Sequence, residues 1–147
     1  MLLIRVCPIQ KILFSLVILV IALWSSKGLA TTEISNVRYW SAPDHTRIVF
    51  DLSDEPVYRF VKRENILVLE WSDATIKTTL PSEMSVGKPG ISKIVFISAN
   101  DNQCKIELVL DQYSKVEVFK LKKFMDKPDR VVVDIFPLQG VQEETST

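Results

Sequence analysis

The only histidine of the chain, His45, follows a carboxylate at Asp44 and precedes a second one at Asp51. A histidine beside a carboxylate could act as the oriented base of a hydrolase, provided that a serine or cysteine nucleophile is near. The sequence contains no nucleophile elbow of the form G-x-S-x-G, and its single histidine cannot build a His-rich zinc site within one chain. A pair of acidic residues of the glycosidase type stays open, although no pair stands out. We therefore predict that the chain is not an enzyme, with no catalytic residue, no metal and no cofactor.

The residues around His45 have the character of a turn, since Pro43 and Asp44 stand between two apolar stretches. In such a turn Asp44 accepts hydrogen bonds from backbone N–H groups. We expect His45 to be a solvated residue of this turn rather than a catalytic base.

Three residues beside this turn suggest binding instead. Arg38 and Trp40 are two residues apart on one predicted strand, and Arg47 begins the next strand. Residues two apart share one face of a strand, and Arg47 precedes a core position, so all three should project outward on one side. An indole packs on the apolar face of a sugar ring, and a guanidinium fork binds a carboxylate. The sequence predicts a site for a ligand that carries both groups; the alternative is that Trp40 packs under a loop and the arginines are solvated.

A basic segment closer to the C-terminus offers a second possible binding surface. It reads KLKKF, Lys120–Phe124, and is followed by Lys127 and Arg130. These cations could attract anionic glycans or lipid headgroups. The simpler interpretation, which we prefer, is a basic hairpin tip that keeps an edge strand soluble.

The elements that must position these residues are strands, because apolar and polar residues alternate with a period of two along most of the chain after residue 33. Turn-forming segments such as SAPDH, SDEP, REN and ANDNQ separate the strands. The stretch 72–90 is less regular, and it could hold one helical turn at most. The eight predicted strands are Ile34–Trp40, Arg47–Leu52, Val57–Lys62, Ile66–Trp71, Ile91–Ser98, Cys104–Leu110, Lys115–Leu121 and Arg130–Phe136.

The two halves of this strand-rich region are alike. Each begins Ile-Ser-x-(Val or Ile), and each has an aspartate in its first turn, Asp44 or Asp101. An internal duplication is the economical explanation, and each half could form one four-stranded sheet with an apolar face. The sequence thus predicts an all-β protein, a β-sandwich of two pseudo-symmetric four-stranded sheets. Parity assigns to the core Val37, Tyr39, Ile48, Phe50, Leu52, Ile106, Leu108, Leu110, Val131, Val133 and Ile135.

The N-terminus has a different composition from the rest. Arg5 and Lys11 precede an apolar run, Ile12–Trp24, and the small residues of Gly28–Ala30 follow a short polar stretch. These features predict a secretory signal peptide; the alternative is an uncleaved membrane anchor, although the run is shorter than the roughly 20 apolar residues of a spanning helix. The predicted divisions are a signal peptide at 1–30, a β-sandwich domain at 31–137 and a polar flexible tail at 138–147.

Cleavage after residue 30 would also change the charge and the cysteine content. It removes three of the 18 basic residues and none of the 18 acidic ones, which leaves a net charge of −3. An acidic domain is a poor match for nucleic acid, so we predict no nucleic-acid partner. We expect contact with a membrane only through an uncleaved signal segment. Cys104 is then the single cysteine, and no disulfide can form within the domain.

Two stretches resemble the AMIN domain family. VRYWSAPDHTRIVFDLSD, Val37–Asp54, looks like the family's V-R-x-W-x-S/A-P-D-x-T-R-V-V-F-D-L run, and DRVVVDIF, Asp129–Phe136, is similar to its closing R-x-V-x-D-L strand. The resemblance covers roughly Ile34–Phe136. It implies two symmetric four-stranded sheets and a non-catalytic role in periplasmic N-acetylmuramoyl-L-alanine amidases or in secretins of type IV pili. It also implies binding of peptidoglycan, which would place an attached partner at the envelope.

The leading hypothesis is therefore a non-catalytic peptidoglycan-binding module that targets the cell envelope from the periplasm. Arg38, Trp40 and Arg47 are its candidate binding residues. One alternative is a protein–protein assembly module of a pilus or secretin complex, with Val131–Phe136 as a candidate exposed edge strand. Another is the anchor remnant of a truncated cell-wall amidase. The expected partners are peptidoglycan and, through the resemblance, a cell-wall amidase or a secretin complex.

Overall fold

The computed structural model describes residues 31–100, 103–111 and 114–137, and these residues form ten β-strands. The predicted signal peptide and the predicted tail lie outside the described residues. Within the described ranges no helix is long and apolar enough to cross a membrane. The strands are β1 (Thr32–Ser41), β2 (Thr46–Leu52), β3 (Val57–Arg63), β4 (Ile66–Ser72), β5 (Ala74–Ile76), β6 (Glu83–Lys88), β7 (Ile91–Asn100), β8 (Gln103–Leu110), β9 (Ser114–Leu121) and β10 (Asp129–Pro137).

The ten strands form two five-stranded sheets. Sheet A has the order β5-β1-β2-β10-β9, and sheet B has the order β3-β4-β8-β7-β6. The prediction of an all-β protein is confirmed, but four strands per sheet is wrong. The extra strands β5 and β6 come from the irregular stretch 72–90 and pair with β1 and β7 at the edges of their sheets.

Each sheet takes one hairpin from each half of the chain, so the expectation that each half forms its own sheet is also wrong. Sheet A contains the hairpins β1–β2 and β9–β10, and sheet B contains β3–β4 and β7–β8. The chain leaves sheet A after β2 through a connection that contains the buried Pro56. Because proline lacks an N–H group, it cannot continue the ladder of a sheet. The internal duplication stays a prediction.

The inner faces of the two sheets pack together around one hydrophobic core. Every residue that parity assigned to the core is buried, except Tyr39, which is partly buried and packs against it. The rings of Phe50 in sheet A and Trp71 in sheet B meet edge to face, with centroids 5.7 Å apart. Among the described residues, the members of the core cluster lie between Ile34 and Ile135.

Cys104 lies within this core, in β8, and is almost completely buried. Removal from water disfavours the thiolate, and this raises the pKa of Cys104 from 9.0 to about 11. A thiol that stays protonated at neutral pH and is shielded from solvent is a poor nucleophile. We therefore assign Cys104 a packing role.

The raised pKa of Cys104 predicts a loss of stability in alkali. The folded state keeps the thiol proton up to a higher pH than the unfolded state, so this contribution is complete below pH 9.0 and is lost as the pH rises towards about 11. At pH 10 the loss should be about 1.4 kcal/mol, the equivalent of one pKa unit. Urea unfolding at pH 7 and pH 10 measures it, and the Cys104→Ala variant should lose that much less between the two pH values. Equal losses for both proteins would contradict the prediction.

Candidate binding face

The outer face of sheet A carries most of the polar and aromatic residues that the sequence singled out. The strand register places Trp40 of β1 beside Arg47 of β2, and Arg47 beside Asp134 of β10. The neighbouring row contains Arg38 of β1 beside Val49 of β2. Since residues two apart on a strand face the same side, Arg38, Trp40 and Arg47 lie together on this outer face, as the sequence predicted. Whether they bind a ligand stays a prediction.

Trp40 exposes 44% of its surface and is the outward-facing aromatic residue of β1 and β2. β1 has no bulge between Asn36 and Ser41, so its residues alternate regularly there and the side chain of Trp40 points away from the core. In the structure Trp40 does not pack under a loop, which was the alternative interpretation. A half-exposed indole on a flat sheet can stack on the apolar face of a ring.

The two arginines do not present open guanidinium forks, which differs from the expected mode of binding. Arg38 donates from Nε to Oδ2 of Asp51 at 3.1 Å and from Nη2 to Oδ1 at 2.6 Å. Arg47 donates from Nε to Oδ1 of Asp134 and from Nη2 to Oδ2, both at 2.6 Å. Each guanidinium therefore already holds a carboxylate of its own sheet, and a ligand must use its remaining N–H groups.

The carboxylates of these two pairs are buried although they lie on the outer face. The side chain of Asp51 exposes 10% of its surface and that of Asp134 exposes 7%. Asn36 donates a further hydrogen bond of 3.1 Å to Asp51. The hydrogen bond to Asp134 raises the pKa of Arg47, although burial opposes it. Buried carboxylates on central strands thus fix the orientation of both guanidinium groups. Binding of a ligand therefore costs less conformational entropy, because these side chains are already ordered.

Aromatic rings border the arginines on the side of β9 and β10. The guanidinium carbon of Arg47 lies 5.8 Å from the ring centroid of Phe119. The Lys115 ammonium lies 5.6 Å from the centroid of Phe136. These are cation–π distances, which further restrain the cations. The outer face of sheet A therefore combines a half-exposed indole, two fixed guanidinium groups and two partly buried phenyl rings.

His45 is not a solvated residue, which corrects the expectation for this turn. Its side chain is only 18% exposed, and its ring lies 5.4 Å from that of Phe136. Its Nδ1 is 2.8 Å from Oδ1 of Asp44, a hydrogen bond that lowers the pKa of that exposed carboxyl. Its Nε2 lies 3.9 Å from Oδ1 of Asp134, which is beyond a hydrogen bond. His45 thus packs at the border of the face.

The basic segment forms a tight hairpin tip at the far end of the edge strand β9. Phe124 and Lys127 exchange two backbone hydrogen bonds of 3.1 and 3.0 Å, and Met125 takes a positive φ of 53° between them. Two lysines are already engaged: Lys120 and Lys122 lie 2.6 and 3.8 Å from the carboxylate oxygens of Glu55. This geometry fits a basic tip at an edge. Binding of anionic groups there stays a prediction.

Among the described residues, no three histidine, cysteine, aspartate or glutamate side chains come together in a way that could hold a metal ion. The model of the AMIN domain matches residues 36–135, so the chain belongs to the AMIN domain family, and the resemblance seen in the sequence is confirmed. No curated protein matches the chain.

The AMIN domain is a non-catalytic periplasmic module of amidases and secretins. The same strand parity puts Asp51 and Asp134 on the side opposite the core, but parity alone does not pair them with the arginines. The signal that could have found them is a charged residue inside an apolar strand, in RIVFDL and in RVVVDIF. A charge at such a position is rarely buried without a partner.

Proposed function

We propose that this chain is a non-catalytic module that binds peptidoglycan in the periplasm through the outer face of sheet A. The observation that carries the proposal is the half-exposed Trp40 beside two guanidinium groups whose orientation is fixed by buried aspartates. Peptidoglycan offers sugar rings for the indole and carbonyl, hydroxyl and carboxylate oxygens for the remaining N–H groups. The periplasmic setting of the AMIN family and the predicted signal peptide support the location.

The proposed contact has two components that respond differently to salt. Stacking on Trp40 is apolar, and it persists when charges are screened. Hydrogen bonds from Arg38 and Arg47 to anionic groups weaken as salt increases. Binding of the purified Thr31–Thr147 fragment to insoluble sacculi tests the proposal, and protein that stays wholly in the supernatant at low salt would overturn it.

The Trp40→Ala variant is expected to bind sacculi about fivefold more weakly, which corresponds to a stacking contact of about 1 kcal/mol. Its thermal melting point should be unchanged, because the indole lies outside the core. Co-sedimentation across a range of sacculus concentrations gives the affinity. Phe124→Ala removes an even more exposed aromatic ring at the β9–β10 tip and is the matched control. Equal affinity of wild type and Trp40→Ala would show that Trp40 is not part of a binding site. A large fall in the melting point of the variant would show that the indole belongs to the core.

A second candidate function is assembly with a protein partner, either a cell-wall amidase or a pilus or secretin complex. The edge strand suggested by the sequence, Val131–Phe136, is wrong: β10 lies between β2 and β9 in sheet A, with both of its edges paired. A different strand, β3, lies at one edge of sheet B and is exposed at most of its positions. Cross-linking in cells separates the two functions, since one stoichiometric protein adduct supports assembly and adducts with glycan alone support wall binding.

A further inference from the structure

The edge strand β3 is long and continuous, as is β9 at the edge of sheet A. It pairs with β4 over seven successive residues without a bulge. By contrast, β5 has three residues, and β6 is interrupted by a register shift between Ser85 and Lys88. The edge strand β9 is unbroken, but it contains an acidic residue, Glu117, and its cations Lys115 and Lys120 already pair with carboxylates. Short length and bulges protect the edge of a sheet from pairing with another chain, and β3 has neither.

The side chains of β3 present an apolar surface between cations. Val57 exposes 71% of its surface and Val61 exposes 47%. Phe60 is also exposed, at the border of the sandwich. Open clefts flank the strand. One of about 330 Å³ lies on the outer face of sheet B and is lined mainly by charged residues, among them Arg63, Glu70 and Glu107. Another, of about 650 Å³, is lined by Val57, Tyr58 and Phe60. Clefts beside a free strand edge can take alternate side chains of an added strand.

The charge of β3 selects the kind of chain that could pair with it. Its cations are Arg59, Lys62 and Arg63, and the strand contains no acidic residue. If a second copy of this chain paired through its own β3, the three cations of each copy would lie close to those of the other, which is unfavourable. An acidic strand would instead place carboxylates opposite guanidinium groups. Arg63 is exposed and makes no ion pair within the described residues, so it is the cation best placed to meet such a strand.

We propose that β3 binds an extended acidic peptide segment of a partner protein, which adds to sheet B as a sixth strand. Backbone hydrogen bonds supply the pairing. Carboxylates of the partner meet Arg63 on the outer face of sheet B, and because strand residues alternate, its apolar side chains face the other way, towards the cleft lined by Tyr58 and Phe60. This site lies on the other sheet from the candidate peptidoglycan face. The module can therefore hold the wall with sheet A and a partner with sheet B at the same time.

The test uses protein purified from cells that express the full chain, and a nine-residue synthetic peptide that alternates glutamate with valine. Fluorescence anisotropy gives the affinity, and hydrogen–deuterium exchange reports protection of the β3 amides. We expect binding with protection of β3. Arg63→Glu should weaken it on the order of fivefold to thirtyfold, since an attraction becomes a repulsion. Lys88→Glu, the same reversal at the opposite edge of sheet B, should leave affinity unchanged.

Several results would overturn the proposal. Equal affinity for a peptide with an N-methylated backbone would show charge attraction without strand pairing. An equal loss for Arg63→Glu and Lys88→Glu would show a contact spread over the whole protein. Protection of β3 through dimerisation in the absence of peptide would identify a second copy of the chain as the occupant. The absence of binding at millimolar peptide would show that this edge does not bind such a strand. Sacculus binding by Arg63→Glu, which should equal that of wild type, distinguishes these failures from a failure of the peptidoglycan proposal.

Discussion

Replacement of Arg47 by methionine is expected to lower the free energy of unfolding by about 3 kcal/mol, because it leaves the buried carboxylate of Asp134 without its charged partner. The side chain of Arg47 is one third exposed, which keeps the expected loss at the lower end of the range for buried pairs. Methionine preserves most of the apolar stem that covers the neighbouring strand. Urea unfolding at pH 7 measures the effect.

The matched control is Arg59→Met on the outer face of sheet B. Arg59 makes a bond of the same length, 2.6 Å, to Glu70, but its side chain is 80% exposed. Its loss should cost about 0.5 kcal/mol or less, as for most surface ion pairs. The double variant Arg47→Met, Asp134→Leu should recover most of the stability, since it removes the unpaired charge itself. Similar losses for Arg47→Met and Arg59→Met would show that the burial of Asp134 does not matter.

This prediction revises what the sequence suggested for Arg47. Parity places its side chain off the core face, which on its own predicts that the domain stays folded when Arg47 is replaced. The partner Asp134 is 87 residues away in the chain, and only the order of strands in sheet A brings the two together. Any loss of wall binding in an Arg47 variant must therefore be corrected for unfolding, whereas Trp40→Ala tests the face without this complication.

The strands that alternation predicted are all present, because alternation reflects one buried face and one open face. The same rule could not find β5, whose three residues are too few to show a period, or β6, which contains Gly87 and a register shift. Alternation also could not show that the outer face of β10 is covered. Val131–Ile135 is buried at five successive positions, the pattern of a central strand with both faces packed. The run of three valines in the sequence was the available sign.

The candidate face was predictable as a set of side chains but not as an arrangement. Residue types and strand parity were enough to place Arg38, Trp40 and Arg47 on one side. Each guanidinium group is occupied by a carboxylate because the strand register brings Asp51 of β2 to Arg38 and Asp134 of β10 to Arg47. Pairing of distant strands leaves no mark in a single sequence. The same limit explains why His45 was expected in solvent, since Phe136, which covers it, lies at the other end of the domain sequence.

Gly90 lies at a close contact between the β6–β7 hairpin and sheet A. Its N–H donates to Oδ2 of Asp111 at 2.8 Å, and its carbonyl accepts from the backbone N–H of Asp111 at 2.9 Å and from Oγ of Ser114 at 3.2 Å. The neighbouring carbonyl of Pro89 accepts from Oγ1 of Thr46 at 2.7 Å. This turn of sheet B is therefore fastened to β2 and β9 of sheet A, and it can be so close only because residue 90 has no side chain.

The Gly90→Ala variant is accordingly expected to lose about 3 kcal/mol of unfolding free energy, from overpacking together with a positive φ. A Cβ at this position would lie 2.7 Å from Cγ2 of the fully buried Ile135, and φ is +87°. Gly87→Ala separates the two causes, because φ there is +56° and nothing lies within 4 Å of the added atom. It should lose only about 1 kcal/mol, the backbone part of the cost. Urea unfolding of both variants measures the difference, and a loss for Gly90→Ala no larger than that for Gly87→Ala would show that β10 can move away from the turn.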